Sequence, residues 1–127
     1  MPARIYKMTR NRGGIILHLK FEVINNTLVA QIEGELDHHT AEEIREDIDR
    51  QIDQHSIRNL LLDLQGMNFM DSSGIGLVIG RYKRLYKTGG QVAVVHMNSR
   101  IERIFKMSGL LNIVKKFDTK KQAMENL

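Results

Sequence analysis

The chain has 127 residues, 42% of them apolar, which fits one domain folded around one core. It contains no cysteine, so disulfides, thiolate metal sites and thiol catalysis are excluded. The net charge of +4 sits at the start: Arg4, Lys7, Arg10 and Arg12 meet no acid there, and the rest of the 19 basic and 15 acidic residues balance, so the folded part has no charge basis for binding nucleic acid.

Residues 1–14 show no hydrophobic period and end in Gly13-Gly14. We read residues 1–16 as a disordered or non-native leader whose basic charge would touch nucleic acid or a membrane surface only weakly. Arg12-Gly13-Gly14 can be encoded by a purine-rich run resembling a ribosome-binding site, and Leu17 by an alternative start codon. The expectation is a native start at residue 17 and a single domain over 17–127. Ile15-Ile16-Leu17 is too short for a secretory h-region, and no apolar run approaches the ~18 residues of a membrane span. A cytoplasmic protein without membrane insertion is the expected setting.

Leu17, Leu19, Phe21 and Val23 alternate as in a half-buried strand over 17–24. Asn25-Asn26 is a turn signal leading into a second strand, Thr27–Ile32. Gly34-Glu35-Leu36-Asp37 leads out of that strand. Thr40-Ala41-Glu42-Glu43 has the spacing of a capping box. Behind it Ala41, Ile44, Ile48 and Ile52 share one face of a surface helix that runs to about His55.

Leu60–Leu64 is a nearly continuous apolar run, expected to be a central strand covered on both faces. Ser72 opens a second helix, with Ile75, Val78, Ile79, Tyr82, Leu85 and Tyr86 expected inward and Gly89-Gly90 as its stop. Gln91–His96 is another strand. Ser99-Arg100-Ile101-Glu102 has a second capping-box spacing, with Ile101, Ile104 and Phe105 as the buried face and Gly109 as the stop. Ile113–Phe117 reads as a short edge strand and Thr119–Leu127 as a final helix. The order ββαβαβα(β)α gives an α/β domain: a mixed sheet of four to five strands with helices packed on it.

The richest stretch is Met70-Asp71-Ser72-Ser73-Gly74-Ile75-Gly76. It places two hydroxyls where the chain enters a helix, at the positive end of the helix dipole and with little side-chain bulk around them. A hydroxyl there can cap the helix, act as a nucleophile or accept a phosphoryl group. Ser72, Gly76 and Gly80 recur every fourth residue and fall in one row. Glycine costs about 1 kcal/mol against alanine inside a helix, so two on one face suggest that another backbone approaches there. Leu77 and Arg81 flank the row off the inward face, as candidate apolar anchor and polar contact. Ser73 reads as a cap or first-turn residue and Asp71 as a cap or an orienter of the Ser72 hydroxyl. Asp37 is either a turn former or part of the same surface. His38-His39 invites a metal reading, but adjacent side chains are expected to diverge and no carboxylate spacing follows.

Two enzyme readings fail on their motifs. Gly74-Ile75-Gly76-Leu77-Val78-Ile79-Gly80 is a loose dinucleotide-type glycine pattern, but no acid follows near His96-Met97-Asn98. A hydrolase elbow at Ser72 would need glycine where Met70 stands. No catalytic residue, metal or cofactor is expected.

Taken together and in order, Gly34-Glu35-Leu36-Asp37-His38-His39-Thr40-Ala41-Glu42, Phe69-Met70-Asp71-Ser72-Ser73-Gly74-Ile75-Gly76, Gly80-Arg81-Tyr82-Lys83, Gly89-Gly90 and Met107-Ser108-Gly109-Leu110 resemble the STAS-domain anti-anti-sigma factors. The Asp-Ser-Ser-Gly segment marks their bacterial branch. Glu35-Leu36-Asp37-His38-His39-Thr40 is most similar to the sporulation members, the anti-sigma F factor antagonists. The resemblance covers Leu19 to the C-terminus and implies a STAS-like fold and a phosphorylation switch. The serine after the aspartate, here Ser72, would be phosphorylated by the anti-sigma factor itself, an ATP-using serine kinase. The unphosphorylated form would bind that kinase and free sigma factor, and a membrane-bound serine phosphatase would restore it. The expected binding surface is Asp37, Asp71, Ser73, Gly76, Leu77, Gly80 and Arg81. A general-stress anti-anti-sigma factor or a STAS scaffold is the alternative system on the same fold.

Overall fold

A computed structural model describes residues 4–12 and 15–127, with side chains from residue 18 onward. The chain runs β1 (Arg4–Arg12), β2 (Ile15–Ile24), β3 (Thr27–Leu36), α1 (Ala41–His55), β4 (Asn59–Asp63), β5 (Met67–Met70), α2 (Ser72–Tyr86), β6 (Val92–Val95), α3 (Ser99–Met107), a 3-10 turn (Leu110–Asn112), β7 (Lys115–Phe117) and α4 (Lys120–Asn126). Among the described residues the sheet order is β1-β2-β3-β4-β6-β7, with β5 added to β3. The β1–β2 and β2–β3 pairs are antiparallel; the β3–β4, β4–β6 and β6–β7 pairs are parallel. This is the expected α/β order with two strands added, β1 and β5.

The alternation of β2 buries Leu19, Phe21 and Val23 against the helices. Asn25 takes a positive φ of 56°, which lets Ile24 pair with Thr27 across a tight hairpin. β4 is the central strand its apolar run predicts, with Leu60, Leu61 and Leu62 all buried. The main core lies between the sheet and α1, α2 and α3, and includes Phe21, Ile44, Ile48, Leu60, Val94 and Phe105. Each such side chain contributes about 1.5–3 kcal/mol relative to exposure. On the other face α4 covers Val29, Leu61, Ala93 and Val95 through Ala123. None of the described helices is long and apolar enough to cross a membrane.

Four expectations change. Arg4–Arg12, placed in a leader by its lack of period, is a strand that pairs with β2 from Arg4↔Val23 to Arg12↔Ile15. A backbone ladder needs no side-chain period, and the outer edge of β2 supplies its donors and acceptors. The Thr40 capping box does not form: Thr40 makes no side-chain cap bond, and its hydroxyl donates to the Glu35 carbonyl at 2.9 Å. The cap of α3 is Asn98, not Ser99; its Oδ1 accepts from the Ile101 N–H at 2.8 Å while its Nδ2 donates to the Met67 carbonyl. Finally α2 buries a second side. Leu77 and Arg81, expected off the inward face, are only 5% and 8% exposed because α1 packs over them, while Tyr86 at the far end is 66% exposed.

One feature of β3 positions the site. Its first half pairs with β4, from Thr27↔Asn59 to Gln31↔Asp63. After an irregularity at Gly34, with φ 107°, its second half pairs with β5, ending at Leu36↔Met70. The two chain exits, β3 into α1 and β5 into α2, therefore leave the sheet side by side.

Candidate functional site

Asp71 ties the two exits together. Its backbone N–H donates to the Leu36 carbonyl at 3.2 Å. Its Oδ1 accepts from the Ser73 N–H at 2.8 Å, capping α2. Its Oδ2 accepts from the His38 N–H at 3.3 Å, with the His38 Nδ1 at 3.8 Å. One carboxylate thus starts one helix and anchors the loop that leads to the other.

With Asp71 as the cap, Ser72 is the first residue of α2 and is exposed. Among the described residues nothing holds its hydroxyl. Ser73, the second helical residue, is half-buried and lends its backbone N–H to the cap. The first turn of α2 carries no acid, so the positive end of its dipole faces the Ser72 hydroxyl uncompensated except by Asp71.

Asp37 is buried, 8% exposed. Its Oδ1 accepts from the His39 N–H at 2.9 Å and the Thr40 N–H at 3.3 Å. Its carbonyl accepts from Ala41 at 2.8 Å. These bonds make it the turn former of the loop. The rings of His38 and His39 do not diverge as expected; their centroids are 3.9 Å apart. Among the described residues no cluster of three His, Asp or Glu side chains could hold a metal.

Beside this junction a groove of about 380 Å³ runs between α1 and α2. Ser73, Gly76, Leu77, Gly80 and Arg81 line it from α2. The opposite wall, which no motif in the sequence marks as a contact surface, is His38, Ala41, Glu42 and Arg45. Five candidate residues therefore share one concave surface, Asp71 stands at its head, and Asp37 lies behind its loop. Leu77, packed into the core, is the floor of the groove rather than a projecting anchor.

The glycines of α2 differ in what they leave room for. A Cβ on Gly74 would meet Met70 Cγ at 2.6 Å and the Leu36 carbonyl oxygen at 3.0 Å, so Gly74 is required by packing inside the domain. A Cβ on Gly76 or Gly80 would meet nothing within 4 Å. Nothing in the described fold asks for glycine at those two places.

Charge lies along the seam of α1 and α2. Asp49 takes three cations: Arg45 Nη1 at 3.3 Å, Arg81 Nε at 3.1 Å and Arg84 Nη1 at 3.1 Å. Arg45 also pairs with Glu42, and Arg84 with Asp53. Burial pushes the Arg81 guanidinium below its usual pKa, and Asp49 pulls it partly back. Asp49 sits 32 positions before Arg81, a pairing no local spacing announces.

The family profile described as STAS domain matches residues 18–123. The anti-sigma F factor antagonist of Paenibacillus polymyxa is 36% identical over 111 residues, spanning 87% of this chain and 95% of the relative. The structure of the anti-sigma factor antagonist SpoIIAA in its unphosphorylated form superposes with a TM-score of 0.75 at 32% identity, over 85% of this chain and 94% of that one. The structure of the Bacillus cell fate determinant SpoIIAA in its phosphorylated form gives a TM-score of 0.67 at 32% identity, over 85% of this chain and 97% of that one.

Proposed function

The chain belongs to the STAS domain family and is an anti-sigma factor antagonist; on that footing we propose that it is a switch set by phosphorylation of Ser72. Its unphosphorylated form binds an anti-sigma factor kinase of the sporulation pathway through the groove of α1 and α2, and so frees the sigma factor. The kinase transfers the γ-phosphoryl of ATP to the Ser72 hydroxyl, which loses its proton as the O–P bond forms, and ADP leaves. A serine phosphatase reverses the step. The protein works in the cytoplasm by binding, not by catalysis of its own.

The observation that carries this reading is the division of labour at the head of α2. Asp71 takes the cap, which leaves the adjacent Ser72 exposed and its hydroxyl unengaged beside the groove of α1 and α2. Phosphate adds about −1.5 to −2 charges at neutral pH. The free N–H groups of the helix start tolerate an anion, so the domain keeps its fold. A partner covering Ser72 would instead meet a bulky dianion that is costly to desolvate. Asp71, Ser73, Gly76, Leu77, Gly80 and Arg81 form the contact surface, and Asp37 holds the loop that completes it.

The test is a release assay with the cognate anti-sigma kinase and ATP. Wild-type protein should bind, acquire phosphate and dissociate, while Ser72→Ala should bind and stay bound. Release of Ser72→Ala at the wild-type rate would overturn the reading.

A further inference from the structure

We propose that the groove between α1 and α2 receives an acidic side chain of the anti-sigma factor, and that Arg81 is the group that receives it. The inference rests on the partner reading above and names the chemistry that the groove selects.

Three observations point to it. Arg81 is a buried cation that the fold satisfies poorly. Its side chain is 10% exposed, its Nη1 is buried with no hydrogen-bond partner, and its Nε, though 3.1 Å from Asp49, is not aligned to hydrogen-bond it. Second, the charge around it is unevenly shared. Among the described residues Asp49 serves three arginines, but Arg45 has Glu42 and Arg84 has Asp53, whereas Arg81 has no second carboxylate at ion-pair distance and feels Glu42 only from farther off. Third, Arg81 borders the groove beside Gly80, where no Cβ fills the space.

A buried guanidinium with unfilled donors is a costly ground state, and a partner's carboxylate relieves it once the side chain turns its buried Nη1 toward the groove. Arg45, the other arginine of the groove, already has Glu42 and Asp49, and His38 lies against Asp71, which leaves Arg81 as the cation with unfilled donors.

Arg81 is not needed to hold α1 on α2, since Arg84 of α2 still pairs with Asp49 and Asp53 of α1 without it. Arg81→Gln should therefore melt at or above the wild-type temperature yet bind the anti-sigma factor about tenfold or more weakly by calorimetry. Arg81→Lys, which keeps the charge, should bind better than Arg81→Met, which keeps the bulk. In addition Arg81→Glu should be rescued by exchanging one acid of the anti-sigma factor for lysine.

Wild-type affinity in Arg81→Gln, or equal binding by the Lys and Met variants, overturns the inference while leaving the Ser72 switch intact. Failure of the wild type to bind the anti-sigma factor overturns the switch itself. Titration of the free domain with ATP separates the remaining source of anionic groups: shifts at the Arg81 guanidinium with ATP alone would assign the groove to a phosphate and refute the acidic side chain.

Discussion

The three glycines of α2 give the sharpest prediction because the same substitution should act in opposite directions along one helix. In Gly76→Ala and Gly80→Ala the new methyl enters open space. Helix propensity then favours alanine by about 0.8–1 kcal/mol at each position. For a domain of this size that corresponds to a melting temperature raised by about 3–6 °C per substitution. In Gly74→Ala the methyl lands 2.6 Å from Met70 Cγ and 3.0 Å from a backbone oxygen, and overpacking of this kind costs about 1–3 kcal/mol. Binding to the anti-sigma factor should show the reverse order of tolerance at the groove. A partner seated against the bare helix backbone meets one methyl too many at Gly76 or Gly80, and a comparable 1–3 kcal/mol is roughly a 5- to 150-fold loss of affinity. Scanning calorimetry and titration calorimetry on the same samples separate the two effects. A Gly76→Ala or Gly80→Ala protein that is less stable than wild type, or more stable with unchanged affinity, would refute the claim that these glycines serve the partner.

Other substitutions probe the scaffold. Asn98→Ala removes the α3 cap and the bond to the Met67 carbonyl, so a loss of about 1–2 kcal/mol is expected in urea unfolding, against about 0.5 kcal/mol or less for Ser99→Ala; equal effects would return the cap to Ser99. Glu102 is held below its ordinary pKa by hydrogen bonds from Lys116 and Lys106. A depressed carboxylate stabilises the fold above its unfolded pKa and loses that contribution as pH falls through the folded value, so Glu102→Gln should flatten the acid limb of the stability curve below about pH 4.5 and do little at pH 7. A steeper acid limb in the variant would contradict this. Removing residues 1–16 deletes β1 and the first two residues of β2 and leaves the rest of β2 as the sheet edge; anti-sigma factor affinity should stay within about twofold, since the groove lies on α1 and α2. A larger loss would place part of the binding surface in that segment.

Much of this was legible because it is local. The period of Ile44, Ile48 and Ile52 located α1, the run Leu60–Leu62 located the central strand, and Gly89 and Gly109 ended their helices with positive φ. The capping devices were harder, because several side chains compete for the same donors. The Thr40 hydroxyl is drawn back to the Glu35 carbonyl and the Asp37 N–H, and Asn98 displaced Ser99. β5 was missed because Met67-Asn68-Phe69-Met70 shows no clean alternation; Met67 and Met70 are buried while Phe69 is 39% exposed. That strand exists through its parallel pairing with the far half of β3.

At the site, the Asp-Ser-Ser-Gly segment and the glycine spacing marked α2 from sequence alone. Its neighbours on α1 could not be marked this way. Glu42 and Arg45 looked like an ordinary solvated helix face, and only the packing of α1 against α2 turns that face into a groove wall. The same packing explains why Leu77 and Arg81 were expected outside. A helix that contacts both a sheet and another helix buries more than one stripe, and the period reports only the wider one.

The central claim meets its most direct test in site-mapped mass spectrometry of the protein after incubation with its cognate anti-sigma kinase and ATP, read together with native mass spectra of the mixture. One phosphoryl group, on Ser72, is expected, with loss of the complex in step with its appearance. An active kinase that leaves the protein unmodified, or a complex that persists when Ser72 is fully phosphorylated, would contradict it; modification at Ser73 instead would keep the switch and move its site by one residue.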